Sequence, residues 1–101
     1  MSHERFLTPD TVLQATPDQV SATFGEEVVV LDMARGLYFG LDGPGQRVWA
    51  LLQRPMTLRA VVDTLVSEYD VEGPACETDV RALAEDLMAR GLVRTVSAPP
   101  A

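Results

Sequence analysis

The spacing of apolar positions changes near the middle of the chain. In the first half they form short runs rich in β-branched and aromatic residues, which is typical of strands. The two clearest runs, residues 27–32 and 37–41, are separated by four residues that end in Gly36, and this arrangement predicts a β-hairpin. Runs at residues 11–14 and 20–24 predict further strands.

In the second half the apolar positions follow the spacing of one helical face. A short first helix is predicted to start at Asp42, whose carboxylate would cap it, with Pro44 in its first turn and Pro55 as its stop. Thr57 is the predicted cap of a second helix, which carries an apolar stripe and ends near residues 70–74.

A third helix is predicted to start near Glu77 or Thr78 and to end at Gly91 in the left-handed conformation. Leu92 and Val93 would then fold back onto the core. Strands that precede helices indicate an α+β fold, here a three-stranded antiparallel sheet followed by three helices.

Length and composition fit one small globular domain. The chain has 101 residues, of which 47% are hydrophobic and 23% charged, so it can bury a single modest core. We expect residues 11–96 to form this domain and residues 1–10 and 97–101 to be disordered. The sequence has neither an apolar run of about 18 residues for a membrane span nor a signal peptide, so a cytoplasmic protein with no membrane partner is expected.

The charge balance argues against a nucleic-acid partner. The formal net charge is −7 and every basic residue is an arginine, so a phosphate backbone would be repelled on average. In a winged-helix DNA-binding protein the third helix would face those phosphates. The predicted third helix carries mostly carboxylates, namely Glu77, Asp79, Glu85 and Asp86 against Arg81 and Arg90.

The residues that could support catalysis are few. The single histidine, His3, lies in the expected disordered start, and the single cysteine, Cys76, is expected in a loop before the third helix with no base beside it. The chain has no lysine, no cysteine or histidine spacing of a metal site and no phosphate-binding loop. Carboxylate pairs such as Asp63 and Glu68 fall on faces expected to be solvated, and Trp49 is expected in the core. We therefore expect no enzyme activity, no metal and no cofactor.

The strand at residues 37–41 is the feature with functional content. Soluble proteins normally protect an edge strand with lysine, proline or an inward charge. This strand carries none of these and includes the aromatic residues Tyr38 and Phe39. It is therefore either buried within the fold or free to pair with an added strand. The third helix spreads its apolar residues over a wide arc, which fits either a groove beside the strand or a well-packed helix.

The chain contains a series of short motifs whose order is characteristic of a known family. The motifs are Val29-Val30-Leu31-Asp32, Gly36-Leu37-Tyr38-Phe39-Gly40-Leu41-Asp42 with Gly45, Val48-Trp49-Ala50-Leu51-Leu52, Thr57, Tyr69-Asp70-Val71, the run from Asp79 to Leu83 with Leu87, and Gly91-Leu92-Val93. The series spans roughly residues 27–93 and resembles the PqqD-like family. The chain departs from the family pattern at Asp42, Pro44 and Gln46, which affects the turn before the first helix.

The resemblance implies a RiPP recognition element, a winged helix-turn-helix-like domain that binds the leader of a ribosomally synthesised and post-translationally modified peptide. The stand-alone leader-binding proteins of lasso peptide biosynthesis are the most similar subgroup. By this resemblance the leader would pair antiparallel with residues 37–41 and place apolar side chains beside the third helix. The implied peptide-binding residues are Val30, Leu31, Asp32, Leu37, Tyr38, Phe39, Gly40, Leu41, Val80, Leu83, Ala84, Leu87, Met88 and Arg90.

The implied partners are the precursor leader peptide, a leader peptidase and a cyclase or other modifying enzyme. Two alternatives share most of the sequence features. One is a PqqD-type peptide chaperone for a radical SAM enzyme, and the other is a structural subunit that buries the same strand and helix against a permanent protein partner.

Overall fold

The structure is a computed structural model that describes residues 7–17 and 19–96. Its elements in chain order are β1 (Val12–Ala15), β2 (Gln19–Phe24), β3 (Glu27–Asp32), β4 (Leu37–Asp42), α1 (Pro44–Leu51), β5 (Met56–Thr57), α2 (Leu58–Tyr69), α3 (Gly73–Ala89) and β6 (Val93–Val96). Within these residues the strands form two three-stranded antiparallel sheets beside three helices. The predicted α+β class is therefore confirmed.

The first sheet has the strand order β2-β3-β4 and contains the predicted hairpin. Its two turns pass through Gly25 and Gly36, whose φ angles of +64° and +69° lie in the region that only glycine adopts without strain. Side chains alternate between its two faces, and Val28, Val30 and Leu41 are buried against the helices. We call this buried side the inner face and the opposite side the outer face.

The second sheet was missed by the sequence analysis. It has the order β5-β1-β6, so the strand predicted at residues 11–14 pairs here, over Val12–Ala15, and not with the hairpin. β5 has only two residues, too few to show an alternating pattern. β6 had been predicted only to fold back, and its pairing of Val12 with Val96 joins positions 84 apart (96 − 12), which no local pattern reveals.

The start of the first helix was predicted one position too early, and its cap was wrong. Asp42 is the last residue of β4, and Gly43 is the N-cap, with φ +54° and no side-chain capping bond. Pro44 occupies the first turn as predicted. The cap of α2 is confirmed, because the Thr57 hydroxyl accepts a hydrogen bond from the Ala60 N–H at 3.0 Å.

The predicted start of the third helix is also wrong. α3 begins at Gly73, well before Glu77 and Thr78, and the Thr78 hydroxyl donates to the Pro74 carbonyl inside the helix. A Gly-Pro pair suggests a break, but proline is tolerated in a first turn because its missing N–H would have no helical partner there. Cys76 consequently lies buried in α3 and not in a loop.

One hydrophobic core lies between the sheets and the helices. Its buried members include Leu13, Leu52, Leu58, Val61, Leu65, Leu87, Leu92 and Val93. Trp49 is buried, as predicted, and Gly91 ends α3 with φ +75°, also as predicted. None of the helices in the described part of the chain is long and apolar enough to cross a membrane.

The described fold begins before residue 11. Leu7 is buried in the core, and the Pro9 carbonyl accepts a hydrogen bond from the Arg59 N–H at 2.9 Å. Residues 7–10, which we had assigned to the disordered start, are thus packed against the domain. The other residues expected to be disordered, 1–6 and 97–101, lie outside the described residues.

Candidate functional site

Strand β4 has one open side. It pairs antiparallel with β3, and within residues 7–17 and 19–96 no strand pairs with its other side. The Gly43 N–H donates to the Glu26 carbonyl at 3.4 Å, which makes these two residues a hydrogen-bonded pair in register with the hairpin. Such pairs alternate along an antiparallel ladder. The backbone groups of the odd-numbered residues of β4 therefore point to β3, and those of Tyr38, Gly40 and Asp42 point to the open side.

This open edge lacks the usual protection. Tyr38, Gly40 and Asp42 together present three N–H donors and three carbonyl acceptors, and the edge contains no lysine or proline. The one charge is Asp42, at the end of the strand. Gly40, in the centre, carries no side chain, and a Cβ there would lie 3.2 Å from a Glu27 carboxylate oxygen. The middle residue of the edge therefore has no side chain of its own that would hinder an incoming backbone.

Alternation divides the side chains of β4 between the two faces, which the sequence analysis could not assign. Leu37, Phe39 and Leu41 lie on the inner face, where exposure falls from 58% at Leu37 to a half-buried Phe39 and a buried Leu41. Tyr38 lies on the outer face and is 78% exposed. A peptide paired with β4 would therefore direct alternate side chains to the inner face, beside Leu37, Phe39 and Leu41.

Helix α3 runs beside the inner face of β4. Its C-terminal end reaches Phe39, because the Arg90 guanidinium lies 4.4 Å from the centroid of that ring. Nearer its middle, Leu83 and Leu41 both lie close to Gly45. A Cβ added to Gly45 would be 3.9 Å from Leu83 Cδ2 and 3.4 Å from Leu41 Cδ2. β4 and α3 thus form the two sides of one groove.

The residues of α3 implied by the resemblance divide into two groups. Val80, Ala84 and Leu87 are buried in the core, so they support the groove from below. Leu83 and Met88 are half-buried and pack against that core, so they retain surface that a bound peptide can contact.

Two depressions adjoin the groove, one at Leu83 and one at Phe39. The larger, about 310 Å³, is lined by Pro44, Gly45, Val48, Leu65, Tyr69, Val71, Ala75, Cys76, Asp79, Val80 and Leu83. The smaller, about 50 Å³, lies at the hairpin turn and is lined by Val30, Asp32, Arg35, Leu37, Tyr38, Phe39, Arg90 and Leu92. The first is mostly apolar with one carboxylate, and the second contains two guanidinium groups.

The charged residues at the hairpin end already have partners within the chain. Arg90 stacks on Phe39 and donates to Asp86 at 3.3 Å. Asp32 accepts hydrogen bonds from the backbone N–H groups of Ala34 and Arg35 at 3.1 and 3.3 Å, so its first role is to hold the turn. A contact between Arg90 and a peptide would therefore compete with an existing ion pair.

The remaining β3 residues implied by the resemblance do not face the groove as a set. Val30 is fully buried in the core. Leu31 pairs with Tyr38 and lies on the outer face. Both residues belong to the strand that supports β4.

Several residues at the larger depression were missed by the sequence analysis. Pro44 and Gly45 at the start of α1 and Ala75 at the start of α3 line it together. Gly45 was the one available signal, because a glycine at this position permits the close approach of Leu41. The early start of α3 placed Ala75 and Cys76 here, and that start was predicted wrongly.

The chemistry of the groove is that of binding. The Cys76 thiol is buried, and burial, together with the nearby Asp79 charge, raises its pKa, so the thiolate needed for nucleophilic attack is disfavoured. In the part of the chain that the structure describes, no group of histidine, cysteine, aspartate and glutamate residues is arranged to hold a metal ion. The arrangement offers backbone hydrogen bonds and apolar depressions.

Comparison with known proteins identifies the family. Residues 27–93 match the family described as coenzyme PQQ synthesis protein D (PqqD). The chain belongs to the PqqD family. The match begins at the first residue of β3 and ends at the first residue of β6, so it contains β4, α3 and the groove between them. No curated protein matches the sequence.

Two solved structures of similar proteins extend the family assignment. One is TbiB1 in complex with the TbiA(beta) leader peptide, with 34% sequence identity and a TM-score of 0.77, covering 84% of this chain and 99% of that chain. The other is a lasso peptide synthetase B1 complexed with the leader peptide, with 27% identity and a TM-score of 0.72, covering 81% of this chain and 96% of that chain. The predicted resemblance to PqqD-like proteins and to the lasso peptide B1 subgroup is confirmed.

Proposed function

We propose that this PqqD family protein binds the leader region of a ribosomally synthesised precursor peptide and presents it to maturation enzymes, in a RiPP pathway of the lasso peptide type. The observation that carries the proposal is the unpaired, unprotected edge of β4 beside an apolar groove. Both similar solved structures contain a leader peptide, which supports the same class of ligand here.

The leader would add as a strand antiparallel to β4. Its backbone would pair with Tyr38, Gly40 and Asp42, whose N–H and carbonyl groups point to the open side. Its alternate side chains would enter the groove, one near the larger depression and one near Phe39. The larger depression has room for an aromatic or branched side chain.

Backbone hydrogen bonds and apolar side chains would both contribute to the free energy of leader binding. Each backbone hydrogen bond contributes about 0.5–1.5 kcal/mol net, and part of that gain is offset by the entropy that an unstructured leader loses on ordering. A micromolar complex requires about 8 kcal/mol. Burial of two or three apolar side chains, at about 1.5–3 kcal/mol each, supplies the difference. We therefore infer that the depressions set selectivity and the edge sets register.

The protein itself would be non-catalytic, and a leader peptidase and a cyclase or other modifying enzyme would act on the presented peptide. The family match also favours a second candidate, a peptide chaperone of the PqqD type for a radical SAM enzyme, which would use the same edge. A DNA-binding role is disfavoured. On α3, Arg81 pairs with Glu77 at 2.5 Å, and Arg90 at its C-terminal end pairs with Asp86, so neither arginine is available to phosphates without breaking an ion pair.

The decisive experiment starts with a search of the neighbouring genes for a short precursor reading frame, whose synthetic leader is then titrated into the ¹⁵N-labelled protein and followed by NMR. We expect the amide signals of Tyr38, Gly40 and Asp42 to shift strongly, because their N–H groups would gain hydrogen-bond partners. A peptide of the same composition in scrambled order is the control. If the β4 amides do not move while the leader saturates the protein, binding is elsewhere and the proposal is wrong.

A structural-subunit role predicts a different result in solution. A chain that permanently buries β4 against a protein partner should be poorly soluble or self-associated when purified alone, whereas a leader-binding protein should be a soluble monomer. Sedimentation velocity at several concentrations separates these two outcomes.

A further inference from the structure

The smaller depression beside the groove is positively charged on an otherwise acidic chain. Arg35 lies in the turn between β3 and β4, and Arg90 lies at the C-terminal end of α3. Both line the depression of about 50 Å³ next to Leu37 and Phe39, together with the single carboxylate of Asp32. The net charge of the whole chain is −7, so two guanidinium groups at one small depression are unexpected.

These two arginines have the longest ion pairs of the described residues. Arg35 Nε lies 3.7 Å from Asp32, beyond hydrogen-bond range, and Arg90 Nε lies 3.3 Å from Asp86. The other three ion pairs described by the structure measure 3.0 Å or less. Both long pairs join residues three or four positions apart and have arginine side chains that are about half exposed, and such pairs contribute little to stability.

Both guanidinium groups retain N–H donors without an acceptor in residues 7–17 and 19–96. Asp86 accepts only from the Nε of Arg90, whose guanidinium lies over the Phe39 ring. The Arg35 donor that has an acceptor there is its backbone N–H, which bonds to Asp32. A guanidinium carries five N–H donors in a planar fork that matches a carboxylate. The depression can therefore bind a carboxylate without rearrangement of the turn.

The proposed pairing with β4 determines which leader residue reaches these arginines. The leader side chains opposite Leu41, Phe39 and Leu37 would all lie on the inner face, in that order along an antiparallel leader. Leu37 is the inner-face residue nearest the turn and is 58% exposed, which leaves space for a side chain beside it. The residue opposite Leu37 would follow the one opposite Leu41 by four positions (41 − 37).

The depression at Leu83 has the opposite charge. Asp79 lines it, and Asp42 lies at the nearby end of β4. A leader carboxylate would be repelled there and attracted by Arg35 and Arg90. The charges along the groove therefore distinguish the two directions in which a strand can pair with β4. Backbone hydrogen bonds supply no such choice of sequence, because every residue except proline offers the same groups.

We propose that Arg35 and Arg90 bind an acidic side chain of the leader, an aspartate or glutamate opposite Leu37, and that this contact fixes the direction and register of the leader on β4. The inference rests on the proposed function and adds the charge class of one leader residue. The two are separable, because the backbone edge and the apolar depressions can hold a leader that lacks this carboxylate.

The test compares leader peptides that differ in one side chain. Each residue of the synthetic leader is replaced in turn by Glu, Gln and Lys, and the Kd is measured by competition fluorescence anisotropy. Glu and Gln have the same shape, so their difference isolates the charge. Each peptide is made with an amidated and with a free C-terminus. Nuclear Overhauser effects between leader and β4 identify the residue opposite Leu37.

The same peptides are measured against Arg35→Gln, Arg90→Gln and the variant that carries both changes. Arg54→Gln is the matched control, because Arg54 is exposed and lines neither depression. Thermal unfolding of each free variant shows whether the protein remains folded. Arg35→Glu is included to exchange the charge, with the Lys peptide as its complementary partner.

We expect Glu to bind the wild-type protein about five-fold more tightly than Gln at the position opposite Leu37, and Lys to bind more weakly than Gln. The variant without both guanidinium groups should bind the Glu and Gln peptides within about two-fold of each other. Arg54→Gln should retain the wild-type difference. Arg35→Glu should bind Lys better than Glu at this position. Arginines that only support the fold would instead weaken all three peptides equally.

Four results would overturn the inference. The first is a leader that binds the wild-type protein but prefers Glu over Gln at no position, and the second is a preference at a residue that is not opposite Leu37. The third is a preference that persists without both guanidinium groups. The fourth is a preference confined to peptides with a free C-terminus, since the ligand would then be a terminal carboxylate. A leader that does not bind the wild-type protein would refute the proposed function itself.

Discussion

Replacing Gly40 with proline tests the orientation of the β4 backbone. Proline removes the N–H and fixes φ near about −65°, and it is tolerated on an edge strand where the N–H faces solvent. The hydrogen bond from Gly43 to Glu26 fixes the alternation of the hairpin, which directs the Gly40 N–H to the open side and not to β3. Gly40→Pro should therefore remove a donor that a bound leader needs and that the folded protein does not use.

The expected loss can be worked out from this single group. A peptide carbonyl left without its donor in a buried ladder costs about 1–3 kcal/mol, which corresponds to about a 5- to 150-fold weaker Kd at 25 °C. Gly40→Ala is the matched control, because it retains the N–H and adds only a Cβ. That Cβ would lie 3.2 Å from the end of the Glu27 side chain, which can rotate away, so its leader affinity should remain close to wild type.

Calorimetry with the synthetic leader gives the affinities, and urea unfolding gives the stabilities of both variants. Equal leader affinity for Gly40→Pro and Gly40→Ala would refute the pairing of the leader with β4. Unfolding of Gly40→Pro under conditions where Gly40→Ala is stable would show that folded β4 does not accept proline at position 40, which contradicts the expectation from the assignment of its N–H to the open side.

Three further predictions concern the groove and its charges. Phe39→Asp should weaken leader binding at least 100-fold while the protein stays folded, because the half-buried ring lines the groove; circular dichroism of an unfolded variant would instead place the ring among the residues that hold the fold together. Leader affinity should fall as salt increases if the leader is basic, because the acidic protein would attract it through screened charges; a flat salt titration would contradict this. Arg47 donates to both carboxylate oxygens of Glu68 at 2.8 Å and holds the pKa of that carboxyl below its usual value of about 4.5. The ion pair therefore contributes its full stabilisation above about pH 4.5, and this contribution is lost as the pH falls through the lowered pKa. Thermal unfolding of Glu68→Gln should therefore depend less on pH below about 4.5 than that of the wild type, and parallel curves would show that the pair is immaterial.

Local patterns were sufficient to predict the hairpin and the identity of the helices. The β-branched run of β3, the glycine at the turn and the Thr57 cap are each specified by residues within a few positions of one another. The second sheet was not predictable in this way, because β1 meets β6 from the far end of the chain. Long-range pairing of short strands leaves no periodic signal in either segment.

The candidate site was predicted in outline and not in orientation. Sequence could place Tyr38 and Phe39 on an unprotected strand, but a period of two assigns them to opposite faces without saying which face is buried. The structure resolves this through the packing of Leu41 and the contact of Arg90 with Phe39. The larger depression was missed because it depends on where α3 begins, and a Gly-Pro pair can either end or start a helix.

The pairing of β1 with β6 has a practical consequence for engineering. Val12 and Val96 are register partners, and adjacent strands lie about 4.8 Å apart, so the first residue of β1 and the last residue of β6 lie side by side. A linker from the end of β6 to the segment that precedes β1, with new termini opened at the exposed turn near Gly25, would yield a circular permutant with the groove intact.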